Sequence, residues 1–220
     1  MPKRISDKLA KESSSNKLNQ AIPLLADLLH QDDNVKEAFL CREDAVQIFK
    51  LRDEGQHFCA YRNMQMMLAD QPRPWTVPDL QAAIERAWDK GFNSHGRIET
   101  GGIVGTRKHV GTSEAHFSEP PPTLQTDRVH ITAKPPIFLQ RPRHSLNIIG
   151  LEHSRNGKRS LIVFDPGYQP PSSVYQFLSR ERQRPPSTRH LTAYRRNHRY
   201  LKRYSNFETL TRLDIPKGDD

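Results

Sequence analysis

The stretch Gly55-Gln56-His57-Phe58-Cys59-Ala60-Tyr61-Arg62-Asn63-Met64-Gln65-Met66-Met67-Leu68 is the point from which the rest of the chain is organised. After Cys59, apolar side chains at Ala60, Met64, Met67 and Leu68 fall at the i, i+4, i+7, i+8 spacing of one buried helix face. The polar run from Arg52 to His57 ahead of them puts Cys59 at or just before the helix N-terminus. There the unpaired backbone N–H groups and the helix dipole favour a thiolate over a thiol. A thiolate is the form that attacks carbonyls. The alternative is that Cys59 is a small buried residue at a helix start, since free cysteine is often simply part of a core.

At 220 residues the chain is long enough for one domain with a full hydrophobic core, or one domain plus a small appendage. A hydrophobic fraction of 35%, 17 prolines and a mean hydropathy of -0.80 predict exposed loops and at least one ragged end. The net charge is +9, with much of the excess between Arg180 and Arg203. That balance suits an acidic partner or nucleic acid, or a solvated surface. The two cysteines, Cys41 and Cys59, exclude a disulfide framework, and neither C-x-x-C nor H-E-x-x-H occurs. No metal or other cofactor is expected. The polar start, Met1-Pro2-Lys3-Arg4-Ile5-Ser6-Asp7, lacks the apolar segment of a signal peptide, and no run approaches membrane-spanning length. The expectation is a soluble protein of the cytoplasm or nucleus, without a membrane partner, where thiols stay reduced.

Residues 1–16 are polar and Ser/Lys-rich and read as a disordered tail. Leu18, Ile22, Leu25, Leu28 and Leu29 repeat at helical spacing. Asp32-Asp33-Asn34 offers caps for a further helix with apolar positions at Val35, Ala38, Phe39, Val46 and Phe49, and Cys41 within it reads as core. Beyond Gln71-Pro72-Arg73-Pro74, Thr76 can cap a helix with Pro78 in its first turn, Asp79 at a capping-box position and Leu80, Ile84, Ala87 and Trp88 on its apolar face. Gly91 is placed to end it. The glycines between Gly101 and Gly111 predict a tight, exposed loop without the Gly-Lys-Ser/Thr of a phosphate loop. Residues 117–135 read as an irregular Pro-rich segment.

Asn156-Gly157 lies between the apolar runs Leu146 to His153 and Ser160 to Asp165, the strongest short-range signal for a β-hairpin. His144 falls just before the first strand and Asp165 at the end of the second, so both sit at the open end. They are a few residues off direct register, close enough for a bulge or bent loop to join them. An aspartate there can accept the imidazole N–H, fix its tautomer and stabilise imidazolium, which a cysteine nucleophile needs from its base. The alternative is a surface histidine and an aspartate that opens a turn before proline.

With these residues in view, the sequence resembles the papain-like cysteine protease family that includes the ubiquitin-fold-modifier-specific proteases and the zinc-finger-type deubiquitinases. The likeness rests on Phe58-Cys59-Ala60-Tyr61-Arg62-Asn63-Met64-Gln65-Met66, then Ala87 to Phe92, Gly105 to Lys108 with Gly111 to Glu114, Pro136 to Gln140 leading to His144-Ser145, and Leu161 to Gly167. Ala193 to Arg196 and Tyr204 to Glu208 also resemble fungal members. The resemblance implies Cys59 as nucleophile, His144 as general base and acid, and Asp165 as the group that orients the histidine. It aligns Gln140 with an oxyanion-hole glutamine, with Gln56 a rival for that role, and Glu114 with a contact to the arginines of the ubiquitin tail. The chain departs from the family pattern in having His57-Phe58 where Trp-Gly is commoner, and a Pro-rich stretch where the family carries a helix, a strand and a further helix.

The expected fold is a single α/β (α+β) domain of papain-like arrangement over residues 17–214, with a C-terminal tail at 215–220. A helical N-terminal part carrying Cys59 packs on a mainly antiparallel sheet carrying His144 and Asp165. The implied partners are conjugates of ubiquitin. The rivals are another ubiquitin-like modifier and a catalytically inactive ubiquitin-binding pseudoenzyme. A basic nucleic-acid-binding module is more distant, motivated by Tyr194, Tyr200 and Tyr204 interleaved with the basic residues up to Arg203.

Overall fold

The computed structural model describes residues 1–11, 16–55, 57–110, 128–179 and 186–212. The chain begins with α1 (Lys3–Ala10), where a disordered tail was predicted. Its buried side chains are Ile5 and Leu9, one turn apart, and both join the apolar cluster that includes Phe58, Leu80 and Ile84. Eight mostly polar residues do not hold a helix alone, so docking supplies the stability that composition does not show. Strand β1 (Lys17–Leu18) precedes α2 (Ala21–Gln31), whose Ile22, Leu25, Leu28 and Leu29 are buried at the predicted spacing.

The next element corrects the sequence reading. Val35 to Leu40 form a strand, β2 (Val35–Leu40), not a helix. A bulge shifts its register between Val35 and Glu37, so the buried side chains fall at Val35, Ala38 and Leu40. That irregular spacing imitates a helical period because the bulge breaks strict alternation. Strand β3 (Gln47–Ile48) pairs antiparallel with β1. The helix α3 (Cys59–Met67) then starts at Cys59. Every residue from Ala60 to Met67 is buried, because α3 runs between two apolar clusters. Met66 joins the one built on α2 and β2, while Ala60, Tyr61, Met64 and Met67 join the one that holds α1. Burial of each such large apolar side chain contributes about 1.5–3 kcal/mol, so the nucleophile's helix is fixed on all sides.

Helix α4 (Val77–Asp89) opens with the predicted capping box: Thr76 Oγ1 accepts from the Asp79 N–H (3.1 Å) and Asp79 Oδ2 accepts from the Thr76 N–H (3.1 Å). Helix α5 (His95–Thr100) follows. Strand β4 (Val129–Ile131) stands inside the segment read as irregular and pairs parallel with β2, from Ala38↔Val129 to Leu40↔Ile131. The β-branched Val129 and Ile131 cover the edge that β2 would otherwise expose. The remainder of 117–135, up to Asp127, lies outside the described residues.

The second half holds β5 (Ile137–Arg141), β6 (His144–Ser154), β7 (Arg159–Phe164), α6 (Ser172–Leu178), α7 (Leu191–Tyr194), β8 (Arg195–Asn197), α8 (His198–Leu201) and β9 (Glu208–Thr211). Long β6 is the spine of a seven-stranded sheet. Its first half pairs with β5, its second half with β2, and β7 pairs along it through the Asn156-Gly157 turn. Apart from β2–β4, these pairings are antiparallel. The β6–β7 register shifts between Ile148 and Gly150. A Cβ at Gly150 would lie 2.3 Å from the Phe39 carbonyl oxygen, so only glycine lets β2 approach β6 there. The described elements keep the expected layout, a helical part carrying Cys59 on a mainly antiparallel sheet carrying His144 and Asp165, with one difference: β2, from the N-terminal part, belongs to the main sheet. No described helix is long and apolar enough to cross a membrane.

Candidate active site

The local sequence dictates where Cys59 ends up. Gly55 adopts φ +71, a turn that L side chains rarely adopt. Phe58 at the N-cap is buried and anchors the helix start, its ring 5.9 Å from that of Tyr61. One turn into α3, buried Arg62 pairs with buried Glu54 and so ties the loop before Cys59 to the helix that follows it. Cys59 itself is partly exposed, at the end of α3 where backbone N–H groups have no helical partner.

The sheet brings up the base. His144 begins β6, and Asp165 directly follows the last residue of β7. The His144 Nε2 lies 2.9 Å from Asp165 Oδ1, which leaves Nδ1 as the ring nitrogen for the thiol. Asp165 is held from three directions: it also accepts from the Gly167 N–H (2.8 Å) and from the Arg196 guanidinium on β8 (2.8 Å). Burial acts to raise the Asp165 carboxyl, but His144, the Gly167 N–H and Arg196 hold it far below the usual carboxylate range. For His144, burial favours the neutral ring, yet hydrogen bonds and charge from Asp165 and Cys59 outweigh it and lift the imidazole to about 9. Cys59 moves the other way. Burial opposes its thiolate, and hydrogen bonds with His144 and Ser145 more than offset it, so the thiol falls below its ordinary value. Cys41 is the contrast: buried beside α2 and β2 without such partners, its thiol is pushed up to about 12 by burial, the behaviour of a core residue.

Ser145 and Arg196 are the contributors that residue-by-residue sequence reading did not assign to the site. The Ser145 hydroxyl accepts from Asn63 Nδ2 (3.1 Å), and the same Asn63 amide donates to the Cys59 carbonyl oxygen (3.0 Å). With its lone pair so engaged, the Ser145 O–H is free to donate to the Cys59 sulfur, beside its own backbone N–H. The only hint of this in the sequence is that Asn63 follows Cys59 by one helical turn and Ser145 follows His144. Ser145→Ala is expected to raise the pH midpoint of Cys59 alkylation by roughly one unit, the size of one hydrogen bond to a charged group. Iodoacetamide kinetics against pH measure it, and an unchanged midpoint would show that Ser145 only packs.

The other predicted residues fare differently. Gln140 stands opposite Ser145 in the β5–β6 register, so its side chain leaves the sheet on the Ser145 face, toward α3. Gln56 and Glu114 lie outside the described residues. The glycine loop is pinned to α4 by Glu85 Oε1, which accepts from the Ile103 (2.6 Å) and Val104 (2.8 Å) N–H groups, and by Gln81 Oε1, which accepts from the Gly105 N–H (3.1 Å). In the basic C-terminal region Tyr194 is buried with its hydroxyl on Gln47 (3.0 Å), a structural position. Tyr200 and Tyr204 pack with Arg141, whose guanidinium lies 4.3 Å from the Tyr204 ring centre. A cleft of about 580 Å³ opens over Cys59, His144 and Asp165. Among the described residues no group of three or more His, Cys, Asp or Glu could hold a metal ion. A partly exposed thiol lowered below its ordinary value, an imidazolium behind it and a fixed carboxylate behind that can carry out acyl transfer through a thioester.

Comparison with known proteins agrees with this chemistry. The family model described as Peptidase family C78 matches residues 34–118 and 114–210. Among curated proteins, the chain is similar to zinc finger-containing ubiquitin peptidase 1 of Mus musculus, 28% identical over 179 residues, covering 60% of this chain and 31% of that protein. The same peptidase of Bos taurus is 30% identical over 155 residues, with 50% of this chain and 27% of that protein covered. The match thus spans less than a third of those relatives' length. Among solved structures, the crystal structure of UfSP from C. elegans aligns with a TM-score of 0.40 at 15% identity, over 69% of this chain and 31% of that one.

Proposed function

We propose that this chain, which belongs to peptidase family C78, is a thiol isopeptidase that cleaves after the C-terminal glycine of ubiquitin in conjugates or chains. The observation that carries the reading is the convergence of Cys59, His144 and Asp165 on one cleft, with the thiol below and the imidazole above their ordinary values. The choice of ubiquitin is supported by relatives described as ubiquitin peptidases.

The Cys59 thiolate attacks the carbonyl carbon of the modifier's last glycine. The tetrahedral oxyanion is met by the Cys59 backbone N–H and, from the Ser145 face of the sheet, by the Gln140 amide, with Gln56 as the rival donor. Collapse breaks the C–N bond, and the His144 Nδ1 proton goes to the departing lysine amine. A water molecule then attacks the thioester as His144 takes its proton. The C–S bond breaks and the thiolate–imidazolium pair is restored. Asp165 keeps the ring oriented throughout and Arg196 keeps Asp165 in place. Glu114 would meet the arginines of the modifier's tail. The domain spans roughly residues 17–214 with α1 docked on it, acts in the cytoplasm or nucleus, and uses no cofactor.

The test is a panel of modifiers bearing an electrophile at the C-terminal glycine. Ubiquitin is expected to give a covalent adduct that peptide mass spectrometry maps to Cys59. Adduct with another ubiquitin-like modifier in place of ubiquitin would move the substrate assignment and keep the chemistry. Tight ubiquitin binding without adduct would establish a pseudoenzyme.

A further inference from the structure

The cleft over Cys59 carries a charge pattern that the chemistry alone does not require. Lys50, Arg141, Arg143 and Arg196 line it, against the single carboxylate of Asp165. Asp165 is already committed to Arg196 and His144, which cancels Arg196 and leaves the other three cations uncompensated. Arg141 spends its Nε–H on the Tyr200 hydroxyl (2.8 Å) and its guanidinium face on Tyr204, neither of which neutralises it. Arg143 is exposed at the tip of the β5–β6 turn, in a left-handed conformation at φ +66 that directs the chain sharply into His144. Lys50, two residues past β3, also lines the cleft, its backbone N–H bonded to the Pro166 carbonyl oxygen (2.8 Å). Among the described residues none of these three makes an ion pair.

The sign of this field decides which part of a conjugate lies there. This step rests on the isopeptidase reading. The tail of ubiquitin is basic and extended, and three free cations beside the scissile bond would repel it. The glycine loop pinned to α4 contributes nothing to this cleft. The cleft is therefore left for the leaving side of the bond, the acceptor polypeptide whose lysine carries the modifier. We propose that Lys50, Arg141 and Arg143 form an acceptor-side subsite that selects lysines flanked by acidic residues.

Two measurements test the subsite. In the first, ubiquitin is joined through an isopeptide bond to short peptides whose lysine is flanked by glutamates, by serines or by lysines, and kcat/KM is compared. Three partly exposed charges predict roughly a tenfold preference for glutamate over serine flanks, shrinking as salt rises. The ratio is expected to collapse toward one, or invert, in Lys50→Glu/Arg143→Glu. An active enzyme with equal rates on all three overturns the subsite while leaving the isopeptidase reading intact. The second measurement needs no turnover: fluorescent forms of the same unconjugated peptides, and a single-stranded oligonucleotide, are titrated onto the full chain. Tighter binding of the glutamate peptide supports the subsite even if ubiquitin proves not to be the modifier. Equal binding of glutamate and serine peptides overturns it. An oligonucleotide that outcompetes the glutamate peptide at physiological salt overturns it in favour of nucleic acid.

Discussion

Cys59→Ala is expected to abolish adduct formation and to lower kcat/KM for isopeptide cleavage by about 10⁶-fold, the scale at which removal of a nucleophile leaves only binding and oxyanion stabilisation. The fold should be untouched, because Cys59 sits partly exposed at a helix end and contributes little to either apolar cluster. Asp165→Asn is expected to cost roughly 10³–10⁴-fold, because the amide cannot stabilise the imidazolium of the resting thiolate–imidazolium pair or hold its ring in place. The pH profile separates this role from a packing role. In the wild type, activity is expected to rise with pH as the thiolate–imidazolium pair forms and to fall as His144 loses the proton it must give to the leaving amine, near its value of about 9. Asp165 is one of the groups that raises His144, so its removal lowers the imidazole and moves the alkaline limb to lower pH. A variant that loses rate with its alkaline limb unmoved would show that Asp165 merely fills space.

Most of this site was legible because its determinants are local. The helix that starts at Cys59 is announced by apolar spacing, and the β6–β7 hairpin by Asn156-Gly157, whose Gly157 takes φ +78 in the turn. A hairpin with a fixed turn also fixes what lies at its open end, and that is how His144 and Asp165 could be paired before any coordinates. The β6 bulge removes one residue of the offset that direct register left between them. What was misread depends on partners distant in sequence. The segment Val35–Leu40 is a strand because β6 and β4 flank it, and its bulge hides the two-residue period. Helix α1 exists because Ile5 and Leu9 find Phe58 and α4. Arg196 looks like one more charge in a basic region until β8 pairs with β7 and sets its guanidinium on Asp165.

Glu54→Gln is expected to reduce the free energy of unfolding by about 3–5 kcal/mol, a large share of the 5–15 kcal/mol typical of a domain. The Glu54 and Arg62 side chains are only 2% and 5% exposed, so the substitution leaves a guanidinium charge buried without its counter-ion. Arg62 also donates to Gln65 Oε1 (2.7 Å), and Gln65 donates in turn to the Trp75 carbonyl oxygen. A neutral amide at position 54 would therefore strain a chain that links the loop before α3 to the start of α4. The size of this loss says nothing about the net worth of the pair, because desolvation of two charges offsets much of their attraction. The double variant Glu54→Leu/Arg62→Met separates the two quantities: it removes both charges, fills the same space and is expected to recover most of the stability in urea titrations. Its rate of adduct formation should nonetheless stay low, because an apolar contact does not hold the Gly55 turn in the one register that presents Cys59 to His144. Recovery of both stability and rate would instead show that packing alone sets the loop, and that the ion pair is dispensable to the site.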